Sequence, residues 1–179
     1  MCTICDLRIE FSVEHPMSLS VAVATRQAID AGLLPTVKAT LSEQMAKPLR
    51  VEAIEALKSL QERFEYALDR PGLLDMPDFF ALMVESRTWG FFHPTAQGFD
   101  PNCRPEPPRV ASDDVRERDA VIVGAESALR HILAGKLTGA EAIRSGLLVV
   151  DAEETKREKI VSALLMAFPE VGYSRFLCA

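Results

Sequence analysis

The chain has 179 residues, of which 48% are hydrophobic and 26% charged, and its formal net charge is −6. This balance is typical of an ordinary globular domain and excludes intrinsically disordered and collagen-like chains. Lys and Arg do not gather into a stripe that would bind a nucleic-acid backbone, and no apolar run approaches the roughly 20 residues of a membrane-spanning helix. The start of the chain lacks the basic and apolar segments of a secretory signal, so we expect a cytoplasmic protein whose four cysteines are reduced.

The first segment alternates between apolar and polar residues with a period of two, which predicts a β-strand over residues 5–13. A strand cannot leave its backbone donors and acceptors unpaired, so this one needs a partner. Three partners are open: a short strand at 147–150, the tail around 173–177, or the same strand of a second chain. Because an exposed edge favours pairing between copies, we expect a homodimer. The apolar face of the strand consists of Cys5, Leu7, Ile9, Phe11 and Val13.

Helical periodicity follows over residues 18–86 and predicts four helices. The first begins with Ser18 or Ser20 as its N-cap and ends at Gly32, since glycine tolerates the left-handed conformation that commonly ends a helix. Prolines and glycines separate the helices that follow. The other three are expected at about 35–47, 49–69 and 75–85.

Residues 88–111 lose all periodicity and contain five prolines and two glycines, which predicts a long loop. Loops of this length in a compact domain are usually functional or disordered. Disorder is disfavoured because the loop would leave four large aromatic side chains in water. We therefore expect an ordered loop, rich in aromatic residues, after the fourth helix.

Regular structure resumes over residues 112–168 and predicts three more helices. The fifth, at about 112–134, is apolar all round near its middle, which places it at the centre of the fold. Asp151 and Glu154 have the spacing of a capping box for the last helix. The predicted fold class is therefore mainly α: a single domain over residues 1–179, with a bundle of about seven helices and one N-terminal strand.

Thr138 and Glu141 also have the spacing of a capping box, which predicts a short sixth helix that ends at Gly146. The surrounding residues 137–150 resemble a Leu-Thr-Gly, Glu-Ala and Gly-Leu-Val pattern that is found in crotonase-type enzymes. The capping box and the glycine at the end of the helix already explain this pattern. We therefore assign neither a fold nor an activity from the resemblance.

Six of the twelve aromatic residues lie between residues 79 and 99, beside side chains suited to proton transfer. Arg87 suits bidentate binding of a carboxylate, and His93 suits general acid or base chemistry near neutral pH. A carboxylate, Glu85 or Asp119, would fix the tautomer of the imidazole. The alternative is that the aromatic residues only seal the end of the helical core. The predicted substrate-binding residues are Trp89, Phe91, Phe92, Phe99 and, from the fifth helix, His131.

Cys2 and Cys5 have the C-x-x-C spacing of zinc sites and dithiol redox centres, but no second pair follows. His15 lies about 33 Å further along a straight strand, too far from Cys5 to share a metal. The motifs that bind nucleotide phosphates, nicotinamide cofactors and calcium are also missing. We therefore expect no organic cofactor and no metal, with Cys2 and Cys5 as weak metal candidates.

These observations predict a small cytoplasmic enzyme without an organic cofactor. It would perform lyase, isomerase or hydrolase chemistry by proton transfer on a small aromatic or carboxylate-bearing molecule. The expected partners are this ligand and a second copy of the chain, with neither nucleic acid nor membrane. Two alternatives stay open: a non-catalytic dimeric helical binding or interaction protein, and a metal protein that uses cysteine and histidine.

Overall fold

A computed structural model describes residues 14–35 and 43–169 of the chain. The predicted N-terminal strand with Cys2 and Cys5, and the predicted pairing of the tail, lie outside the described residues. None of the described helices is both long and apolar enough to cross a membrane. The helices are α1 (Ser18–Asp30), α2 (Glu43–Ala67), α3 (Arg70–Asp75), α4 (Glu126–Leu133), α5 (Gly139–Arg144) and α6 (Glu154–Ala167), with a short 3₁₀ helix at Val115–Glu117. The strands are β1 (Phe79–Met83), β2 (Thr88–Phe92), β3 (Pro94–Thr95), β4 (Gly98–Phe99), β5 (Ala120–Gly124) and β6 (Leu148–Asp151).

Four strands form a mixed sheet in the order β2-β1-β5-β6. β1 pairs antiparallel with β2 and parallel with β5, and β5 pairs antiparallel with β6. The register places Phe79 opposite Phe92 on one side and opposite Ala120 on the other. β3 and β4 form a separate hairpin directly after β2. The predicted short strand at 147–150 is confirmed as β6, one residue later than expected.

Helices cover both faces of this sheet. Phe64 of α2 packs edge to face on Phe79 with ring centroids 5.9 Å apart, and Phe79 stacks on Phe92 at 4.6 Å, so α2 covers this face. α1 contacts β5 on the opposite face of the sheet. His15, just before α1, lies 3.3 Å from Asp151, and Asp151 pairs with Val121 on that same face. The sheet is therefore the middle layer between α1 and α2.

The prediction of a mainly α bundle of seven helices is wrong, because the described residues form an α/β structure around a mixed sheet. Residues 79–83 and 120–124, which we assigned to the fourth and fifth helices, are β1 and β5. Every residue of both strands is buried, so neither strand alternates between apolar and polar residues. Periodicity cannot distinguish such a strand from a buried helix.

Three other predicted elements are also wrong. Residues 88–99 are not a loop, because they supply β2, β3 and β4. The helix boundary predicted at Pro48 does not exist, since α2 continues through it, and a proline removes one helical hydrogen bond without always ending a helix. Asp151 does not cap α6; the Glu153 side chain accepts from the N–H groups at the start of that helix.

The predicted N-cap of α1 is wrong, because Met17, and not Ser18 or Ser20, is the N-cap residue of that helix. The glycine ends of α1 and α5 and the capping box of α5 are confirmed. α1 stops just before Gly32, which has a φ of 73°. The capping box of Thr138 and Glu141 opens α5, and Gly146 follows that helix with a φ of 72°. These features depend on a few neighbouring residues, so the sequence predicts them without knowledge of the fold.

Candidate functional site

The predicted catalytic residues Arg87 and His93 do not come together. They flank β2 at its opposite ends, about 20 Å apart for six residues of extended chain. Arg87 occupies the turn between β1 and β2 with a φ of 52°, and its exposed guanidinium lies 3.6 Å from the Glu14 carboxylate. A small substrate therefore cannot contact both residues at once.

The aromatic residues predicted to enclose a substrate pack mainly against one another. Trp89, Phe92 and Phe99 belong to the hydrophobic core, and Phe99 packs edge to face on Phe92 with ring centroids 5.4 Å apart. Phe91 is half-buried, with its ring centroid 4.8 Å from that of Phe80. These contacts agree with the alternative interpretation, in which the aromatic residues serve packing.

The two carboxylates expected beside His93 bind backbone groups instead. Glu85 accepts from the N–H groups of Glu126 and Ser127 at 2.6 and 3.3 Å, at the start of α4, where the helix dipole favours a negative charge. Asp119 accepts from the Arg109 N–H at 2.8 Å, and its own N–H donates to the Arg109 carbonyl at 2.9 Å. Both side chains therefore hold local structure.

Asp78, which the sequence analysis missed, is the carboxylate that reaches His93. His93 Nδ1 lies 2.9 Å from Asp78 Oδ1, and the histidine side chain is 38% exposed. The two residues continue the register of the hairpin by one step, because the next pair beyond Phe79 and Phe92 is 78 and 93. Recognition of the hairpin would have placed Asp78 opposite His93, but residues 75–85 were predicted to be a helix.

Three further groups surround this pair and complete what we call the His93 cluster: Asp78, Phe91, His93, Asp100 and Cys103. The Phe91 ring is inclined by 21° to the imidazole, with ring centroids 6.5 Å apart, and the Asp100 N–H donates to the His93 carbonyl at 2.9 Å. Partial burial raises the pKa of the Cys103 thiol, and the charges of Asp78 and Asp100 raise it further. This thiol is therefore protonated at neutral pH, which leaves the imidazole as the group suited to proton transfer.

A second polar cluster surrounds Glu126 at the carboxyl ends of the parallel strands β1 and β5. The Glu126 side chain is 6% exposed and pairs with Arg130 at 2.7 Å, as the i,i+4 spacing predicts, and Arg130 continues to Glu52 of α2 at 2.5 Å. Glu126 Oε2 and the Ser86 hydroxyl are buried and make no well-aligned hydrogen bond within the described residues, but the Ser86 hydroxyl lies close enough to lower the pKa of the Glu126 carboxyl. Burial raises the pKa of the Glu126 carboxyl; the pair with Arg130 opposes this rise, and the Glu85 charge adds to it.

His131 does not join the His93 cluster. Its Nδ1 lies 3.0 Å from the Ser127 carbonyl oxygen on its own helix, α4. Among the open cavities that described residues line, one of about 300 Å³ lies beside residues 108–112 and another of about 500 Å³ lies between α2 and the end of α4. Neither of them is lined by a residue that we predicted to bind or transform a substrate.

The cysteine and histidine metal site that the sequence suggests lies only partly within the described residues. Across residues 14–35 and 50–169, no three His, Cys, Asp or Glu side chains are grouped so that they could hold a metal ion. Cys2 and Cys5 lie outside these ranges, so the metal site suggested by their spacing stays a prediction.

No protein-family model, curated protein or solved structure matches this chain.

Proposed function

We propose that the protein is a small enzyme without an organic cofactor, in which His93 transfers a proton to or from a small aromatic molecule. The proposal rests on the 2.9 Å contact between His93 Nδ1 and Asp78 Oδ1. Nδ1–H donates to the carboxylate, so Nε2 of the neutral ring is the atom that accepts a proton. Asp78 is then a positioning residue and takes the role that we predicted for Glu85 or Asp119. The partial exposure of the imidazole gives a substrate access to Nε2.

The surroundings of His93 favour a neutral or cationic substrate. Asp78 and Asp100 place negative charge in the His93 cluster. Arg87, the group predicted to bind a carboxylate, lies at the far end of β2. Phe91 offers a half-buried ring beside the imidazole, on which a flat aromatic molecule can stack. We therefore propose an aromatic substrate that carries no carboxylate group.

A thermal-shift screen with neutral and cationic aromatic compounds tests this proposal. A compound that raises the melting temperature is incubated with the protein in D₂O, and NMR follows deuterium exchange at its acidic C–H bond. Loss of a general base typically slows proton transfer by about 10²–10⁴-fold, so His93→Gln should slow this exchange at least about 100-fold. The melting temperature of the unliganded variant should stay close to that of the wild type, because the ion pair with Asp78 is exposed.

His131→Gln is the matched control, since it removes another partly exposed imidazole that lies outside the His93 cluster. It should leave the exchange rate unchanged, whereas Asp78→Asn should slow exchange by a smaller factor than His93→Gln. Equal exchange rates for the wild type and His93→Gln would refute the proposal. A loss of activity in His93→Gln that follows a parallel loss of stability would assign a packing role to the histidine.

A specific observation also favours a second function, that of a non-catalytic homodimeric interaction protein. α1 buries one face against the sheet, yet Leu19 is 75% exposed and Val23, one turn later, is 49% exposed. Arg26 and Asp30 lie on the same side of α1, one and two turns further on, and their opposite charges are 3.1 Å apart. In two antiparallel copies of α1, Arg26 of each copy can pair with Asp30 of the other. The partner that fits this face is a second copy of the chain.

Light scattering after size-exclusion chromatography tests the second candidate. The wild type should have twice the mass of one chain at micromolar concentrations, and Val23→Asp should reduce this to the mass of one chain. Leu74→Asp is the matched control, because Leu74 is also an exposed apolar residue but lies on α3. A wild type that stays monomeric over the same concentrations would exclude this function.

A further inference from the structure

His15 lies just before α1 and supplies the hydrogen-bond acceptors at the start of that helix. Its imidazole has no exposed surface. The Met17 N–H donates to His15 Nδ1 at 3.1 Å, and the Ser18 N–H donates to the His15 carbonyl at 2.9 Å. Met17, the N-cap residue, makes no side-chain capping bond of its own. His15 therefore supplies the acceptors for the N–H groups of the N-cap residue and of the first residue of α1.

The other nitrogen of the ring faces the end of β6. Nε2 lies 3.3 Å from Asp151 Oδ2, without forming a well-aligned hydrogen bond. An Arg118 guanidinium nitrogen lies 3.3 Å from the same carboxylate oxygen. Among the described residues, Asp151 and Arg118 are the charged groups whose fields act on this imidazole. The carboxylate is therefore shared between a buried neutral ring and a permanent cation.

This geometry fixes the protonation state of His15. Because Nδ1 accepts the Met17 N–H, the ring is neutral and carries its proton on Nε2. A second proton would have to occupy Nδ1, toward which the Met17 N–H already points. The resulting positive charge would lie at the N-terminal end of α1, where the helix dipole disfavours a cation, and near Arg118. Protonation of His15 is therefore disfavoured while α1 is docked.

We propose that His15 is a pH-sensitive switch: protonation of its imidazole below neutral pH releases α1 from the sheet. α1 covers the sheet face over β5, where Val121 and Val123 are fully buried. Release of the helix uncovers this apolar face while the opposite face, under α2, stays covered. The inference is independent of the chemistry proposed for His93.

The direction of the pH dependence follows from the docked geometry. Burial is the main cause that lowers the pKa of His15 from 6.5; Asp151 opposes this effect, and Arg118 adds to it. Above about pH 7 the imidazole is neutral whether α1 is docked or released, so docking is at full strength. As the pH falls below 6.5, the released state takes up a proton more readily than the docked state, and docking weakens.

Hydrogen exchange of the α1 amides at pH 7.5 and pH 5.5, corrected for intrinsic exchange rates, tests the switch. One pH unit below the ordinary pKa of a histidine, the released fraction rises by about tenfold when only the released state can be protonated. We expect the protection of α1 to fall by up to about this factor. The amides of α6, on the other side of the sheet, should change little. Unchanged protection of α1, or an equal loss in α6, would overturn the proposal.

Two substitutions around the imidazole should move this response in opposite directions. Asp151→Asn removes the charge that favours protonation in the docked state, so acidification should release more α1 than in the wild type. Arg118→Gln removes the opposing charge and should reduce the release. Shifts of the same sign in both variants would contradict the electrostatic argument.

His15→Asn isolates the role of the ring itself. Its side-chain oxygen can still accept the Met17 N–H, but the side chain cannot titrate, so the pH dependence of α1 protection should disappear. His131→Gln, which removes an imidazole on α4 that bonds within its own helix, is the control and should keep the wild-type response. If His15→Asn does not fold, the opposite shifts of Asp151→Asn and Arg118→Gln still decide the proposal.

Discussion

Gly98→Ala should lower the stability of the hairpin β3–β4, which follows His93. Gly98 has a φ of 121°, and a Cβ atom at this position would lie 2.7 Å from Glu65 Oε1. That oxygen accepts from the Phe99 N–H at 2.9 Å, so the new methyl group adds backbone strain and displaces a hydrogen-bond acceptor. Strain of about 1–3 kcal/mol and a lost hydrogen bond of about 1 kcal/mol make a total of about 2–4 kcal/mol. The melting temperature should fall by about 5–15 °C in a calorimetric scan.

Gly135→Ala separates the two contributions. Gly135 also has a positive φ, 68°, but a Cβ atom there meets no other atom within 4 Å. Its substitution should therefore cost only the conformational part, about 1 kcal/mol. Glu65→Ala combined with Gly98→Ala should show a coupling of about 1 kcal/mol, because the clash disappears with the carboxylate. Equal losses for the two glycine variants, with no coupling to Glu65, would refute this account.

The free energy of unfolding of Glu126→Gln should increase relative to that of the wild type as the pH rises from 4 to 8. Burial raises the pKa of the Glu126 carboxyl, so its ionisation destabilises the folded wild type, whereas the glutamine does not ionise. Urea denaturation at each pH measures the difference, and a constant difference would contradict the argument. Thr138→Ala removes the acceptor of the Glu141 N–H and should cost about 1 kcal/mol in the same assay; no loss would show that the cap does not stabilise α5. Phe64→Ala should cost about 3–5 kcal/mol, because the ring is fully buried against Phe79. A thermal scan measures this loss, and a value below 1 kcal/mol would show that the core repacks around the cavity.

The sheet could not be predicted from periodicity, although its strands are strongly apolar. β1 and β5 are buried on both faces, so their residues 79–83 and 120–124 carry the same uniform pattern as a buried helix. A uniformly apolar run of only five residues is shorter than a typical helix, which is the signal that could have indicated strands. The aromatic residues of β2 were assigned to a loop for a different reason, because residues 88–111 lack periodicity and contain five prolines and two glycines.

The neighbours of His93 in the candidate site could not be predicted from local sequence either. His93 was identified from its chemistry, whereas its neighbours depended on which strands pair. Arg87 is closer to His93 in sequence than Asp78 is, yet an extended strand carries Arg87 to the far end of the sheet. The antiparallel hairpin brings Asp78 back to the histidine. Glu85 and Asp119 were plausible partners by residue type, but both bind backbone groups instead.

Sequence alone determined the features that arise within a few residues: the amphipathic helix α1, its end at Gly32, the cap of Thr138 and Glu141, and the presence of an imidazole among aromatic residues. These depend on hydrogen bonds and periodicity within one or two helical turns. The position of β1 between β2 and β5, and the contact of Asp78 with His93, arise from tertiary contacts. Strand partners are selected by burial and register between distant segments, and residue types within one segment do not encode that selection.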